Sequence, residues 1–200
     1  MNAARIHLAV ALPAEAKPLI RAFGLRRLQP DSGEPPLYLG SRLALVLTGA
    51  GSAAMARGVA RLEAFGCNAT TGWLNLGIAG HGSLPLGSCL LADSITDVHA
   101  GRQWRLRPPT IADIPTGPLH CVREPVSDYA ADTGYDMESA GFSASLDNLG
   151  ALPRAAVLKI VSDGPDQPTT RINARMVGDL IQRAIPMITT LIDHLYEQHA

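Results

Sequence analysis

Four short apolar runs constrain this chain more than any other feature: Arg5–Ala11 (RIHLAVA), Arg42–Thr48 (RLALVLT), Gly72–Ile78 (GWLNLGI) and Ala155–Val161 (AAVLKIV). Each lacks polar alternation and is stopped by glycine, proline or an acid. That is the pattern of strands buried on both faces. Helical stretches lie between and after them: Ala14–Phe23, Ala53–Phe65, Glu138–Leu149, and a long amphipathic segment from Arg171 onward that passes through Pro186. In that last segment Val177, Leu180, Ile181, Ile185, Ile188, Leu191, Ile192 and Leu195 keep the spacing of one helix face. Further strands are expected at Ser88–Ile95 and Leu119–Arg123. Gln29–Pro36 reads as a loop, and the proline-rich stretch Ala100–Pro118 as mostly loop or edge strand.

Strands alternating with helices predict an α/β fold: one domain over residues 1–200, with a central mixed, mostly parallel sheet flanked by helices. In such sheets ligands bind beyond the carboxyl ends of the strands. Those ends carry glycine or an acid here: Glu15, Gly49-Ala50-Gly51, Gly77 with Gly80, and Ser162-Asp163.

Composition narrows the partners. With 17 Lys and Arg against 18 Asp and Glu, and no basic run, nothing predicts a nucleic-acid groove. The apolar runs stop well short of membrane-spanning length. The N-terminus lacks a signal-peptide layout, so the protein is expected to be cytoplasmic. Cys67, Cys89 and Cys121 are scattered and odd in number, which reads as reduced packing thiols. The six histidines show no metal-ligand spacing. Only His81, inside the turn Gly80-His81-Gly82, sits near the expected site.

Gly49-Ala50-Gly51-Ser52-Ala53-Ala54 fits GxGxxA between a strand and a helix. The acid that a dinucleotide site needs about 20 residues later is absent, so the segment reads as a turn offering backbone N–H groups to a polar ligand. Asp163, Glu138 and Glu15 each have a plain alternative. Asp163 suits an Asx-turn or cap, and the two glutamates suit the first turn of a helix, where the dipole favours an acid. Three acids at comparable strand ends point instead to acid chemistry.

Several segments, in family order, resemble the purine nucleoside phosphorylase superfamily. The branch they look most like is that of the 5'-methylthioadenosine/S-adenosylhomocysteine nucleosidases. The resemblance is carried by Ala11-Leu12-Pro13-Ala14-Glu15, Leu47–Ala54 (LTGAGSAA), Asn75–Gly80 (NLGIAG), Asp136-Met137-Glu138-Ser139 and Val161-Ser162-Asp163. It implies hydrolysis of the N-glycosidic bond of a purine-type nucleoside, with no metal or organic cofactor. By the same resemblance Asp163 would protonate the base N7, supported by Ser162. Glu138 would take the ribose hydroxyls with Met137 against the sugar, and Glu15 would orient the attacking water. Ala79, Gly80 and Gly51 would approach the ligand through backbone atoms. Tyr129 and Tyr135 are the aromatics available to stack on the base. The family builds part of its site across a dimer interface, so a homodimer is expected, with the apolar face of the C-terminal helix on offer to the partner.

A phosphorylase needs a cationic phosphate pocket. Residues 49–54 and 75–82 hold no Arg or Lys, and Arg57 lies one turn into the helix, so hydrolysis is expected. Phosphorolysis and a non-catalytic nucleoside-binding relative are the alternatives.

Overall fold

The computed structural model describes residues 6–29 and 33–199. Arg5, expected to open the first strand, and residues 30–32 of the expected loop lie outside them. The chain runs through β1 (Ile6–Val10), α1 (Pro13–Ala22), β2 (Arg26–Arg27), β3 (Leu37–Leu39), β4 (Leu43–Leu47) and α2 (Ser52–Phe65). It continues through β5 (Gly72–His81), β6 (Cys89–Asp97), β7 (Arg102–Arg105), β8 (Thr116–Cys121) and β9 (Gly134–Asp136). Last come α3 (Ser139–Asn148), β10 (Ala155–Asp163) and α4 (Ala174–His199).

β1 lies between β4 and β5 and is parallel to both, with Leu8 level with Leu45 on one side and Leu74 on the other. β10 runs parallel to β5 and antiparallel to β6. β8 is parallel to β6, and β9 is parallel to β8 and antiparallel to β5. Strands β5, β10, β6, β8 and β9 therefore close on themselves as a ring. β4, β3 and β2 continue the sheet outward as antiparallel neighbours. Among the described residues β7 pairs only with β6, as an edge strand should. The result is the expected α/β architecture, with one mixed sheet flanked by helices.

The two faces follow from the period of two along each strand. Leu8 and Val10 of β1, and Leu43 and Leu45 of β4, join one apolar cluster with Ala16 and Leu19 of α1 and Leu191 of α4. Ala9, Ala44 and Val46 face the other way and join Met55, Val59 and Leu62 of α2 and Phe142 of α3. Both faces are covered, which is why β1 and β10 are buried at every residue and read as mainly apolar runs.

The stripe on α4 differs from the expectation in one respect. Val177, Leu180, Ile181, Ile188, Leu191, Ile192 and Leu195 are buried in the chain's own core and Ile185 is partly buried against it, so they do not form an open face for a second copy. α4 continues through Pro186 because Pro186 and Gln182, whose carbonyl loses its partner there, lie on the exposed side. Other boundaries also moved. β5 runs to His81 rather than Ile78, and β8 spans Thr116–Cys121 rather than Leu119–Arg123. β2, β3 and β9 had not been expected at all. Among the described residues no helix is long and apolar enough to cross a membrane.

Candidate active site

Glu15 stands in the first turn of α1, where Pro13 opens the helix. Its Oε2 accepts the Leu12 N–H at 2.8 Å, the half of a capping box that its position alone would predict. The other oxygen does something local sequence cannot require. Oε1 accepts the Ile78 N–H at 2.9 Å, tying α1 to β5 across 63 residues of chain. Glu15 is 2% exposed. Burial raises its carboxyl to about 7; Lys159 and the two amides oppose the rise and Glu138 adds to it.

Glu138 precedes the first turn of α3 and is half-buried. Its Oε1 accepts the Gly51 N–H at 2.9 Å, so its carboxylate turns away from its own helix toward the start of α2. This contact depends on how closely the two helix starts approach. A Cβ at Gly141 would lie 2.0 Å from the Ser52 carbonyl oxygen. Ser52 in turn donates from its hydroxyl to the Met137 carbonyl at 3.3 Å. Burial raises the Glu138 carboxyl above its ordinary value, opposed by Lys159 and reinforced by Asp136.

Lys159 is the residue sequence reasoning missed. It sits mid-strand in β10, 1% exposed, with Nζ 2.8 Å from Asp136 Oδ2. Asp136 also accepts the Ser139 N–H at 3.0 Å and its hydroxyl at 2.6 Å. Burial alone would push the ammonium down, but Asp136, Glu138 and Glu15 outweigh it and hold Lys159 above its ordinary value. The signal was present in AAVLKIV: a lone charge within a buried strand requires an opposite partner.

Asp163 ends β10, 6% exposed, after the fully buried Ser162. Regular alternation would send these neighbours to opposite faces. The register of β10 against β5 shifts between Val161 and Asp163, and this irregularity lets both line one cavity. Ser162 donates to Asp163 Oδ1 at 2.5 Å, and its hydroxyl is also 3.3 Å from the Ala79 carbonyl. Tyr129 donates to Asp163 Oδ2 at 2.6 Å.

These elements converge on a cavity of about 160 Å³. Glu15, Glu138 and Asp163 all line it, as do Met137, Ser162, Ala79 and Gly80. Gly51 does not; it reaches the site only through its N–H to Glu138 and lines a neighbouring pocket of about 430 Å³. That second pocket shares Ala50, Val122 and Met137 with the first and is also lined by Arg57 and Arg123. Of the two expected stacking aromatics, Tyr135 is in the cavity wall, whereas the Tyr129 hydroxyl is on Asp163.

His81 is architectural. Its Nδ1 accepts the N–H groups of Ser83 and Leu84, each at 3.0 Å, so Nδ1 carries no proton. Burial lowers its pKa, consistent with a neutral ring. Among the described residues no group of three or more His, Cys, Asp or Glu is placed to hold a metal ion.

Neither a protein-family model nor a curated protein matches the sequence. Solved structures do match the fold. One is 5'-methylthioadenosine/S-adenosylhomocysteine nucleosidase from S. pneumoniae with a transition-state inhibitor, at TM-score 0.76 and 18% identity over 94% of this chain and 98% of that one. A second is the S-adenosylhomocysteine nucleosidase of Streptococcus pyogenes in complex with 5-methylthiotubericidin, at TM-score 0.77 and 20% identity over 98% of each chain. A third is the Arabidopsis thaliana 5'-methylthioadenosine nucleosidase in apo form, at TM-score 0.76 and 18% identity over 98% of this chain and 97% of that one. At these identities the likeness is one of fold.

Proposed function

We propose that the protein is a nucleosidase that hydrolyses the N-glycosidic bond of a purine-type nucleoside, with 5'-modified adenosines as the substrate class. The observation that carries this reading is the meeting of Asp163, Glu138 and Glu15 on one small cavity, each with different partners. Glycosidic cleavage passes through an oxocarbenium-like sugar and calls for carboxyl groups in distinct protonation states. The three structures of similar fold are described as nucleosidases for methylthioadenosine or S-adenosylhomocysteine, which supports the substrate class.

In this reading Asp163 gives its proton to N7 as the bond from the sugar breaks and its electron pair passes to the base. Ser162 holds the carboxyl in place. Glu138 accepts hydrogen bonds from the ribose hydroxyls and offsets the positive charge that develops on the sugar. Met137 packs on the ribose, and Ala79 and Gly80 shape the wall through their backbone. Water adds to the anomeric carbon and its proton passes to Glu15, a base suited to neutral pH because its carboxyl sits at about 7. Cytoplasmic residence is proposed with this role, supported by the three free cysteines. A homodimer is proposed on the resemblance to the nucleosidase branch.

Phosphorolysis is a second reading, favoured by one observation. Arg57 and Arg123 line the pocket beside the cavity, at the start of α2, where an anion is stabilised. The test is free-base release from a panel of purine nucleosides, with and without phosphate. Release without phosphate supports the hydrolase, and release only with phosphate supports the phosphorylase. No release in either condition overturns both and leaves a nucleoside-binding protein.

A further inference from the structure

Asp163 has two hydroxyl donors, one on each carboxyl oxygen. The donor to Oδ1 is its chain neighbour Ser162. The donor to Oδ2 is Tyr129, 34 residues away, on the segment between β8 and β9. Neighbouring elements make room for that second contact. A Cβ at Gly80 would lie 2.6 Å from both Asp163 Oδ2 and Tyr129 Cε1, so no side chain fits between β5 and the pair. Two residues on, a Cβ at Gly82 would lie 2.0 Å from the Ala130 carbonyl oxygen. Ala130 also donates its N–H to the Tyr135 hydroxyl at 3.1 Å, and the two tyrosine rings meet edge to face at 5.7 Å. The end of β5 at Gly80-His81-Gly82 is therefore cleared for the stretch that brings Tyr129 to the acid.

We propose that Tyr129 is a positioning residue for the acid step: its hydroxyl fixes the Asp163 carboxyl and stabilises the carboxylate that forms as the proton passes to the base. This role rests on the glycosidic cleavage proposed above. A carboxyl group offers about four acceptor positions, so the oxygen that carries the proton can face the base while Tyr129 and Ser162 hold the remaining lone pairs. In the step the O–H bond of Asp163 breaks, N7–H forms, and the electron pair of the glycosidic bond stays with the base. Tyr129 keeps its own proton throughout. Burial, and then the hydrogen bond to Asp163, hold its phenol above the ordinary value. The bond from Tyr129 meets a neutral acceptor before the transfer and an ionised one after it. Bonds to ionised acceptors are stronger, so the gain is largest where the charge develops.

The test is Tyr129→Phe, which keeps the ring and removes only the hydroxyl, assayed on two substrates. On a purine nucleoside, which needs its base protonated, kcat is expected to fall about 10- to 100-fold with KM little changed. On 4-nitrophenyl riboside, whose acidic phenol leaves without protonation, the rate is expected to stay near that of the unsubstituted protein. In an Asp163→Asn background the same substitution is expected to cost nothing further. Unchanged turnover of the purine nucleoside overturns the proposal, and so does an equal loss on both substrates, which would mark a purely structural tyrosine. If the unsubstituted protein releases no base at all, the cleavage reading fails and this role falls with it. If it does release base and Tyr129→Phe is equally fast, only the tyrosine assignment fails.

Discussion

The Lys159 ammonium lies 2.8 Å from Asp136 Oδ2, and neither side chain is more than 2% exposed. This ion pair is the electrostatic foundation of the cavity. Lys159 is a buried cation whose charge acts on Asp136, Glu138 and Glu15, and it moderates the rise that burial imposes on both glutamates. Replacing Lys159 with methionine, similar in length but uncharged, leaves Asp136 buried without its counter-ion. The expected cost is about 3–5 kcal/mol of folding stability, read as a lower urea midpoint. Adding Asp136→Asn to that variant should restore part of the loss, because the stranded charge is then gone.

Glu15 links stability and catalysis to pH in opposite directions. Its carboxyl sits at about 7 in the folded protein against 4.5 when unperturbed. Between those values the folded state keeps a proton that the unfolded state has lost. Stability is therefore full below about 4.5, declines as pH rises toward 7 and is flat beyond it. Glu138, also raised, adds in the same direction. A base that must be ionised gives the reverse trend in rate: kcat/KM should climb across this window and level off above about 7. Urea midpoints at about pH 5 and pH 8, set beside the pH–rate profile, check both trends. Glu15→Gln should lessen the first, leaving the part due to Glu138, and remove the second.

Gly77 is the steric companion of Glu15. A Cβ there would stand 2.8 Å from Glu15 Oε1, and two backbone amides hold that carboxylate in place. Gly77→Ala should therefore displace the carboxylate. We expect kcat to fall about 100-fold, with a stability cost of about 1–3 kcal/mol from overpacking. Steady-state kinetics and thermal unfolding of the same variant separate the two effects.

His81 should behave differently from the acids around it. Its Nδ1 serves the Ser83 and Leu84 amides, and it does not line the cavity that holds Asp163, Glu138 and Glu15. His81→Ala is expected to lower stability by about 1 kcal/mol while kcat on a purine nucleoside changes by less than about threefold. A loss of turnover comparable to that of an acid variant would contradict the architectural role.

Much of the frame was legible because its elements are locally determined. β1, β4, β5 and β10 appear as predominantly apolar runs since both their faces are covered, and α2 and α3 begin within one residue of where their sequences place them. The acids Glu15 and Asp163 could be located because strand ends in such a sheet gather at one rim. What escaped depends on distant contacts. β9 is three residues, Gly134-Tyr135-Asp136, and carries no alternation from which to infer a strand; its neighbours β5 and β8 make it one. β2 and β3 are equally short and exist by pairing with each other and with β4. The tie from Glu138 to Gly51 spans 87 residues, and no local pattern encodes it. The apolar stripe of α4 was read correctly as a stripe. Its partner was misassigned because periodicity shows which face is buried and not what buries it.

The ring of β5, β10, β6, β8 and β9 is sealed by a seam of two residue pairs, Gly80 with Tyr135 and His81 with Gly134. The seam runs straight into the cavity wall, where Gly80 and Tyr135 sit beside Met137 and Glu138. Breathing of the barrel at this weakest ladder and loss of the pocket's shape are thus a single event. A molecule held between Gly80 and Met137 acts as a clasp on the seam, so occupancy of the cavity and integrity of the barrel rise and fall together.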